Sequence, residues 1–171
     1  MLRIINQLKQ KVFVFGGYSI DKTTFKFIRE NLPEGSRILE FGSGYSTKKL
    51  LKHYKVISIE DNPRWAKVYN SKRHKVFHVP ITNGWYNVNM VEIIFKTRYA
   101  DLILIDGPIG EFRKNLPILL FKDVKCPVIF DDTNRIDDFK KMIEFCNKLG
   151  FTPMIFHNKQ KSWTWCIKDN K

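Results

Sequence analysis

Acidic residues are scarce in this chain. Its 171 residues hold 17 Asp and Glu against 30 Lys and Arg, a formal charge of +13. That excess turns the protein toward polyanionic partners: nucleic acid, anionic glycans or membrane surfaces. A generally lysine-rich composition would read the same way. Cysteine is scarce too. Cys126, Cys146 and Cys166 are odd in number and form no CxxC, so neither a disulfide framework nor a zinc knuckle is indicated, and a reducing, cytoplasmic setting is expected. No apolar run approaches the roughly 20 residues that span a bilayer. The longest lie at Val12–Phe15 and Leu116–Phe121. The N-terminus lacks a signal peptide's apolar stretch and cleavage site. No repeat, low-complexity tract or Pro/Gly/Ser linker appears, so one domain is expected over 1–171, with 1–20 leading into a core at 21–171.

What the chain does have is short β-branched apolar runs alternating with helical patterns, the signature of a parallel α/β sheet. Strands are expected at Arg37–Phe41, Val56–Glu60, Lys75–Val79, Leu102–Ile105 and Val128–Phe130. Helices are expected over Asp21–Asn31, from a Ser46 cap to Tyr54, and onward from Asn62-Pro63 with Trp65, Val68 and Tyr69 on one face. Others fall near Val88–Lys96, over Leu116–Lys122, and from an Asn134 cap to Leu149 with Gly150 as its stop. In that last helix Ile136, Phe139, Met142, Ile143, Cys146 and Leu149 would face inward. Phe151–His157 and Ser162–Ile167 read as a terminal antiparallel hairpin. The fold class is α/β: a doubly wound, mostly parallel sheet of seven strands ending in that hairpin. Ligands of such sheets bind beyond the carboxyl ends of the strands, near the switch point.

The few acids gather at those ends. Glu40 closes the first strand, Glu60 and Asp61 the second, Asp106 the fourth, Asp131 and Asp132 the fifth. Helix capping accounts for Asp61 and Asp132 but not for Glu40, which precedes the turn Gly42-Ser43-Gly44. Two glycines make a tight strand-to-helix turn and let the backbone approach a ligand. The dinucleotide pattern GxGxxG would need a third glycine where Thr47 stands. Glu40 would also repel a pyrophosphate. A ligand with a cationic amino-acid end and a ribose, but no phosphate, fits better, with Glu60 accepting from the ribose hydroxyls. S-adenosylmethionine has these features.

Ile38–Thr47 (ILEFGSGYST) resembles the first motif of the class I S-adenosylmethionine-dependent methyltransferases, and Val56–Pro63 resembles their second. Asp101–Pro108 (DLILIDGP) and Val128–Thr133 (VIFDDT) are similar to the fourth- and fifth-strand segments of small O-methyltransferases in that class. The resemblance implies a Rossmann-like methyltransferase fold. It implies cofactor binding at Glu40, Gly42, Ser43, Gly44, Tyr45, Ser46, Glu60, Asp61 and Asp106. The acid that family members often carry after strand three is missing from Phe77–Ile81.

Metal-dependent members bind a divalent cation after strands four and five. The matching residues here are Asp106, Asp131 and Asp132, which implies Mg²⁺ or another divalent cation; capping of the following turn by the last two, or their pairing with Arg135, is the alternative. Without a metal, Asp106 would serve as general base. Arg113 follows the Asp106-Gly107-Pro108 loop, an arrangement similar to that of polysaccharide and glucuronic-acid O-methyltransferases. It would pair with a carboxylate or phosphate of the acceptor, or stand as a solvated loop residue. Trp85 and Tyr86 suit either a stacking wall or core packing. His53, His74, His78 and His157 show no catalytic spacing. Asp106-Gly107-Pro108-Ile109 lacks the second proline and the aromatic of adenine-N6 enzymes, and Cys126 lies at the wrong end of its strand for a cytosine nucleophile. The expected function is O-methyl transfer to a hydroxyl of an anionic small molecule or saccharide. An RNA methyltransferase, from the +13 charge, and a non-catalytic cofactor-binding module are the alternatives.

Overall fold

Asp21 starts the first described helix by accepting from the Thr24 N–H at 2.7 Å, which caps α1 (Lys22–Asn31). The computed structural model describes residues 19–67, 71–158 and 161–169. After α1 come β1 (Arg37–Phe41), α2 (Tyr45–Leu50), β2 (Lys55–Glu60) and β3 (His74–His78). A small hairpin, β4 (Ile81–Thr82) and β5 (Trp85–Tyr86), leads into α3 (Val88–Thr97) and β6 (Leu102–Ile105). Two 3-10 helices, Gly110–Asn115 and Ile118–Phe121, precede β7 (Val128–Phe130), α4 (Ile136–Leu149), β8 (Phe151–His157) and β9 (Ser162–Lys168).

The main sheet has seven strands in the order β3-β2-β1-β6-β7-β9-β8. Its first five strands run parallel, and β9 is antiparallel to both neighbours. The order reverses direction between β1 and β6, so the switch point lies where Phe41 and Ile105 pair. Strands β6 and β7 are buried along their whole length, as their unbroken apolar sequences require. Alternation splits the core: Leu39 and Phe41 pack on one face, Ile38 on the other with Ile28, Leu104 and Ile129. Trp163 and Trp165 belong to the second face, where Phe27 meets both rings at 4.9 and 5.2 Å.

Several local expectations are corrected. Helix α2 is capped from Gly44 rather than Ser46, because the Thr47 hydroxyl accepts from the Gly44 N–H at 2.8 Å. It ends at Leu50, and Tyr54 instead buries its ring and donates to the carbonyls of Ile28 and Leu32. Pro63 leads only into a 3-10 turn at Trp65–Lys67; Val68 and Tyr69 lie outside the described residues, as does Val12–Phe15. Asn83-Gly84, with φ of 53° and 76°, turns the β4–β5 hairpin that the sequence reading passed over. Of the expected 116–122 helix only a 3-10 segment forms, Ile118–Phe121, starting after Pro117. Helix α4 starts at Ile136, since the Asn134 side chain accepts from the Ser162 N–H and ties itself to β9. Ile136 is therefore exposed, and Phe145 takes a core place on the buried stripe. Gly150 ends α4 in the left-handed region, as expected.

Candidate functional site

The carboxyl ends of β1 and β6 touch backbone to backbone. Gly42 has φ +92°, and a Cβ built on it would stand 3.1 Å from the Gly107 nitrogen. One built on Gly107 would stand 2.9 Å from Gly42 and 2.5 Å from the Tyr86 hydroxyl. Neither position has room for a side chain.

Glu40 is fully buried behind this contact. Its Oε1 accepts from the Thr47 and Ser58 hydroxyls, each at 2.6 Å, while Oε2 has no partner among the described residues. Ser58 stands opposite Glu40 in the β1–β2 register and also meets His74 Nε2 at 2.7 Å. Burial pushes the Glu40 carboxyl up to about 8; the two hydroxyls oppose that, and Asp106 and Glu60 add to it.

Glu60, at the end of β2, holds two loops at once. Oε2 accepts from the Ser43 N–H at 2.6 Å and Oε1 from the Asn62 N–H at 2.8 Å. Burial raises its pKa against those two bonds. Each oxygen retains a lone pair for a further donor. Asp61, next along, is likewise raised by burial.

At the end of β7 the acids are already neutralised. The Lys161 ammonium, itself buried, pairs with Asp131 Oδ2, lies 3.0 Å from Asp132 Oδ1 and donates to the Ser19 carbonyl at 2.9 Å. Asp132 Oδ2 receives Arg113 Nη2 at 2.8 Å and Arg135 Nη2 at 3.0 Å. Arg113 Nη1 donates to the Asp131 carbonyl at 3.2 Å. Burial, with Asp106 alongside, drives the Asp131 carboxyl far above its usual range despite Lys161. Burial also works against the charge of Asp132, but Lys161, Arg113 and Arg135 together hold it below the usual range. Lys161 is raised by the acids around it, against its own burial.

A cavity of about 810 Å³ opens beside these loops. Gly42, Ser43, Gly44, Tyr45, Glu60, Asp61 and Asp106 line it, together with Arg113 and Asp132. Glu40, Ser46 and Asp131 do not; all three are buried, and Ser46 Oγ has no partner among the described residues. The remaining charged lining is Glu111, Arg135, Asp137 and Asp138, so carboxylates outnumber arginines in a protein that is cationic overall. Tyr86 forms part of the wall with its buried hydroxyl unpartnered among the described residues, whereas Trp85 packs into the core near Phe41. None of the four histidines lines the cavity, and Cys126 lies elsewhere, half-buried.

Two expectations change at this point. Arg113 is only 7% exposed and spends both terminal nitrogens on the β7 loop, so it does not present a fork to an acceptor. Arg135, half-exposed, is the arginine at the mouth. For a metal, ligand atoms of Asp106, Asp131 and Asp132 all lie within 4.8 Å of one another, a donor set suited to a hard cation. The charges do not suit one. Lys161 already occupies Asp131 Oδ2 and Asp132 Oδ1, so a dication on those oxygens would have to displace a buried ammonium. With Lys161 in place, the residues present do not fit a divalent ion. The sequence reading missed Lys161 and the Ser58–His74 pair, because no local pattern marks a lysine at a hairpin turn or a serine inside a strand.

The sheet order and the antiparallel β9 define the fold of the S-adenosylmethionine-dependent methyltransferases. Among solved structures, the chain is similar to a caffeoyl-CoA O-methyltransferase-like protein of Staphylococcus aureus at 15% identity and TM-score 0.61, over 97% of this chain and 90% of that one. A TehB-like S-adenosylmethionine-dependent methyltransferase of Corynebacterium glutamicum matches at 14% identity and TM-score 0.56, over 84% and 86%. MycE, of the mycinamycin biosynthetic pathway, was solved with Mg and S-adenosylhomocysteine. It matches at 11% identity and TM-score 0.60, over 85% of this chain and 45% of that one. No family model and no curated protein matches the sequence.

Proposed function

We propose that this chain transfers the methyl group of S-adenosylmethionine to a hydroxyl of a small molecule or saccharide. One observation carries the reading: Glu60, Asp61 and Asp106 ring a two-glycine turn at the switch point, with Glu40 buried behind it. That arrangement attracts a ligand bearing ammonium and sulfonium charges and repels one bearing phosphates. The cofactor supplies, when bound, a methyl already activated on sulfur. The protein's part is then to bind and orient. Gly42 and Gly44 admit the ligand to the backbone, Glu60 offers its free lone pairs to ribose hydroxyls, and Glu40 adds negative charge from beneath the turn as it ionises near 8. Asp106, at the cavity wall, accepts the proton that the acceptor hydroxyl gives up as its oxygen takes the methyl. An anionic group on the acceptor would meet Arg135 at the mouth. The carboxylate-rich wall weighs against a polyphosphate such as RNA entering the cavity.

Calorimetry with S-adenosylmethionine and S-adenosylhomocysteine tests the binding half, and radiolabelled methyl incorporation across a panel of hydroxyl acceptors tests the transfer. Binding of both ligands by the wild type is expected, weakened in Glu60→Ala by about 1.5–3 kcal/mol for each charged hydrogen bond lost. No binding by the wild type would reject the reading. Binding without transfer to any acceptor would leave a cofactor-binding module.

A further inference from the structure

We propose that Lys161 is the resident cation of this site, holding Asp131 and Asp132 in place of a divalent metal. The inference concerns the cavity of the proposed methyltransferase, and only its catalytic consequence rests on that reading. The Lys161 ammonium donates to the Ser19 carbonyl at 2.9 Å and forms ion pairs with Asp131 Oδ2 and, at 3.0 Å, with Asp132 Oδ1. The residue is 6% exposed, so this is no surface lysine caught in one pose. Its three partners come from the segment before α1 and the loop after β7, while Lys161 itself leads into β9. It therefore joins three segments at one point, as a bound ion does.

The charge balance agrees. Lys161, Arg113 and Arg135 stand against Asp106, Asp131, Asp132 and Asp138, with Arg135 also 3.8 Å from Asp138. Three cations against four acids leave at most one negative charge, too little to balance a further double positive charge. Asp106 makes no ion pair among the described residues; it stands against Asp131 and lines the cavity, where the proposed function makes it the base. Lys161 is thus a positioning residue: it fixes the acids beside Asp106 and touches no acceptor.

The experiment titrates Mn²⁺ into the wild-type protein and into Lys161→Ala, by electron paramagnetic resonance. Melting temperatures are read in Mn²⁺ and in EDTA. The wild type should bind no Mn²⁺ at millimolar concentration and melt identically in both buffers. Lys161→Ala should melt lower in EDTA, bind Mn²⁺ near one equivalent and regain part of its melting temperature. If it folds poorly, Mn²⁺ present during refolding should restore it. The double variant Asp131→Asn/Lys161→Met, which removes both charges together, should fold without metal and stay silent to Mn²⁺. One equivalent of Mn²⁺ on the wild type, or a melting temperature lowered by EDTA, overturns the proposal. A Lys161→Ala chain that Mn²⁺ neither binds nor restores overturns it equally.

S-adenosylhomocysteine calorimetry on the same samples separates the two readings. Binding by the wild type in EDTA supports both. Binding only with Mn²⁺ overturns the role of Lys161 alone. No binding in either buffer removes the methyltransferase reading, and the Mn²⁺ results on the two proteins still decide the place of Lys161.

Discussion

Glu40 and His74 are joined through one hydroxyl: Ser58 Oγ lies 2.6 Å from Glu40 Oε1 and 2.7 Å from His74 Nε2. The Ser58 hydroxyl donates to the carboxylate, and the imidazole N–H donates to Ser58, the assignment this network favours. A fully buried acid thereby has a hydrogen-bonded route to a residue at the start of the edge strand.

The first prediction concerns pH. Glu40 ionises near 8 in the folded protein, and its negative charge is what attracts a cationic ligand. Affinity for S-adenosylhomocysteine should therefore rise with pH and level off above about 8. Calorimetry from pH 6 to 9 measures this, and Glu40→Gln should flatten the rise.

The same shift has a consequence for stability, with the opposite sign. Folding raises this carboxyl from 4.5 to about 8, so the folded state holds the proton more tightly. The stabilisation is complete below about 4.5 and is lost as pH climbs to about 8. Urea unfolding at pH 5 and pH 8 should show a smaller difference in Glu40→Gln than in the wild type.

Gly107→Ala should destabilise the protein by roughly 1–3 kcal/mol and abolish cofactor binding. Its Cβ would meet the Gly42 backbone at 2.9 Å as well as the Tyr86 hydroxyl at 2.5 Å. Adding Tyr86→Phe removes only the second clash, so it should not restore binding. A restored affinity would show that the backbone contact between the two loops is softer than these distances imply.

The two cavity arginines should separate cleanly. Arg113→Ala strips a buried partner from Asp132 and should cost about 3–5 kcal/mol in urea unfolding. Arg135→Ala, half-exposed, should cost about 0–1 kcal/mol and, once an acceptor is in hand, act on KM. Equal losses of stability would mean that Arg113 is not the structural member of the pair.

The strands were legible because burial on both faces leaves an unmistakable mark: Arg37–Phe41, Leu102–Ile105 and Val128–Phe130 fall where the apolar runs put them. The loops at the cavity were legible because Glu40 sits where neither capping nor surface solvation explains an acid. Helix starts were not. Asn134 has the chemistry of a cap, but its side chain is spent on Ser162, a partner that only the assembled sheet supplies. The Asn83-Gly84 turn carried a readable signal that went unused. Lys161 carried none. Its contact with Ser19 spans 142 residues, and it arises only because β9 inserts between β7 and β8.

That insertion also sets an order of events on the ribosome. Strand β7 is synthesised before its neighbour β9, and until β9 arrives the loop after β7 holds Asp131 and Asp132 without their ammonium. A nascent chain halted at α4 already has Arg113 and Arg135 for Asp132 but holds Asp131 without its ammonium at the growing edge. Arrival of β9 completes the sheet and brings Asp131 its ammonium in a single step.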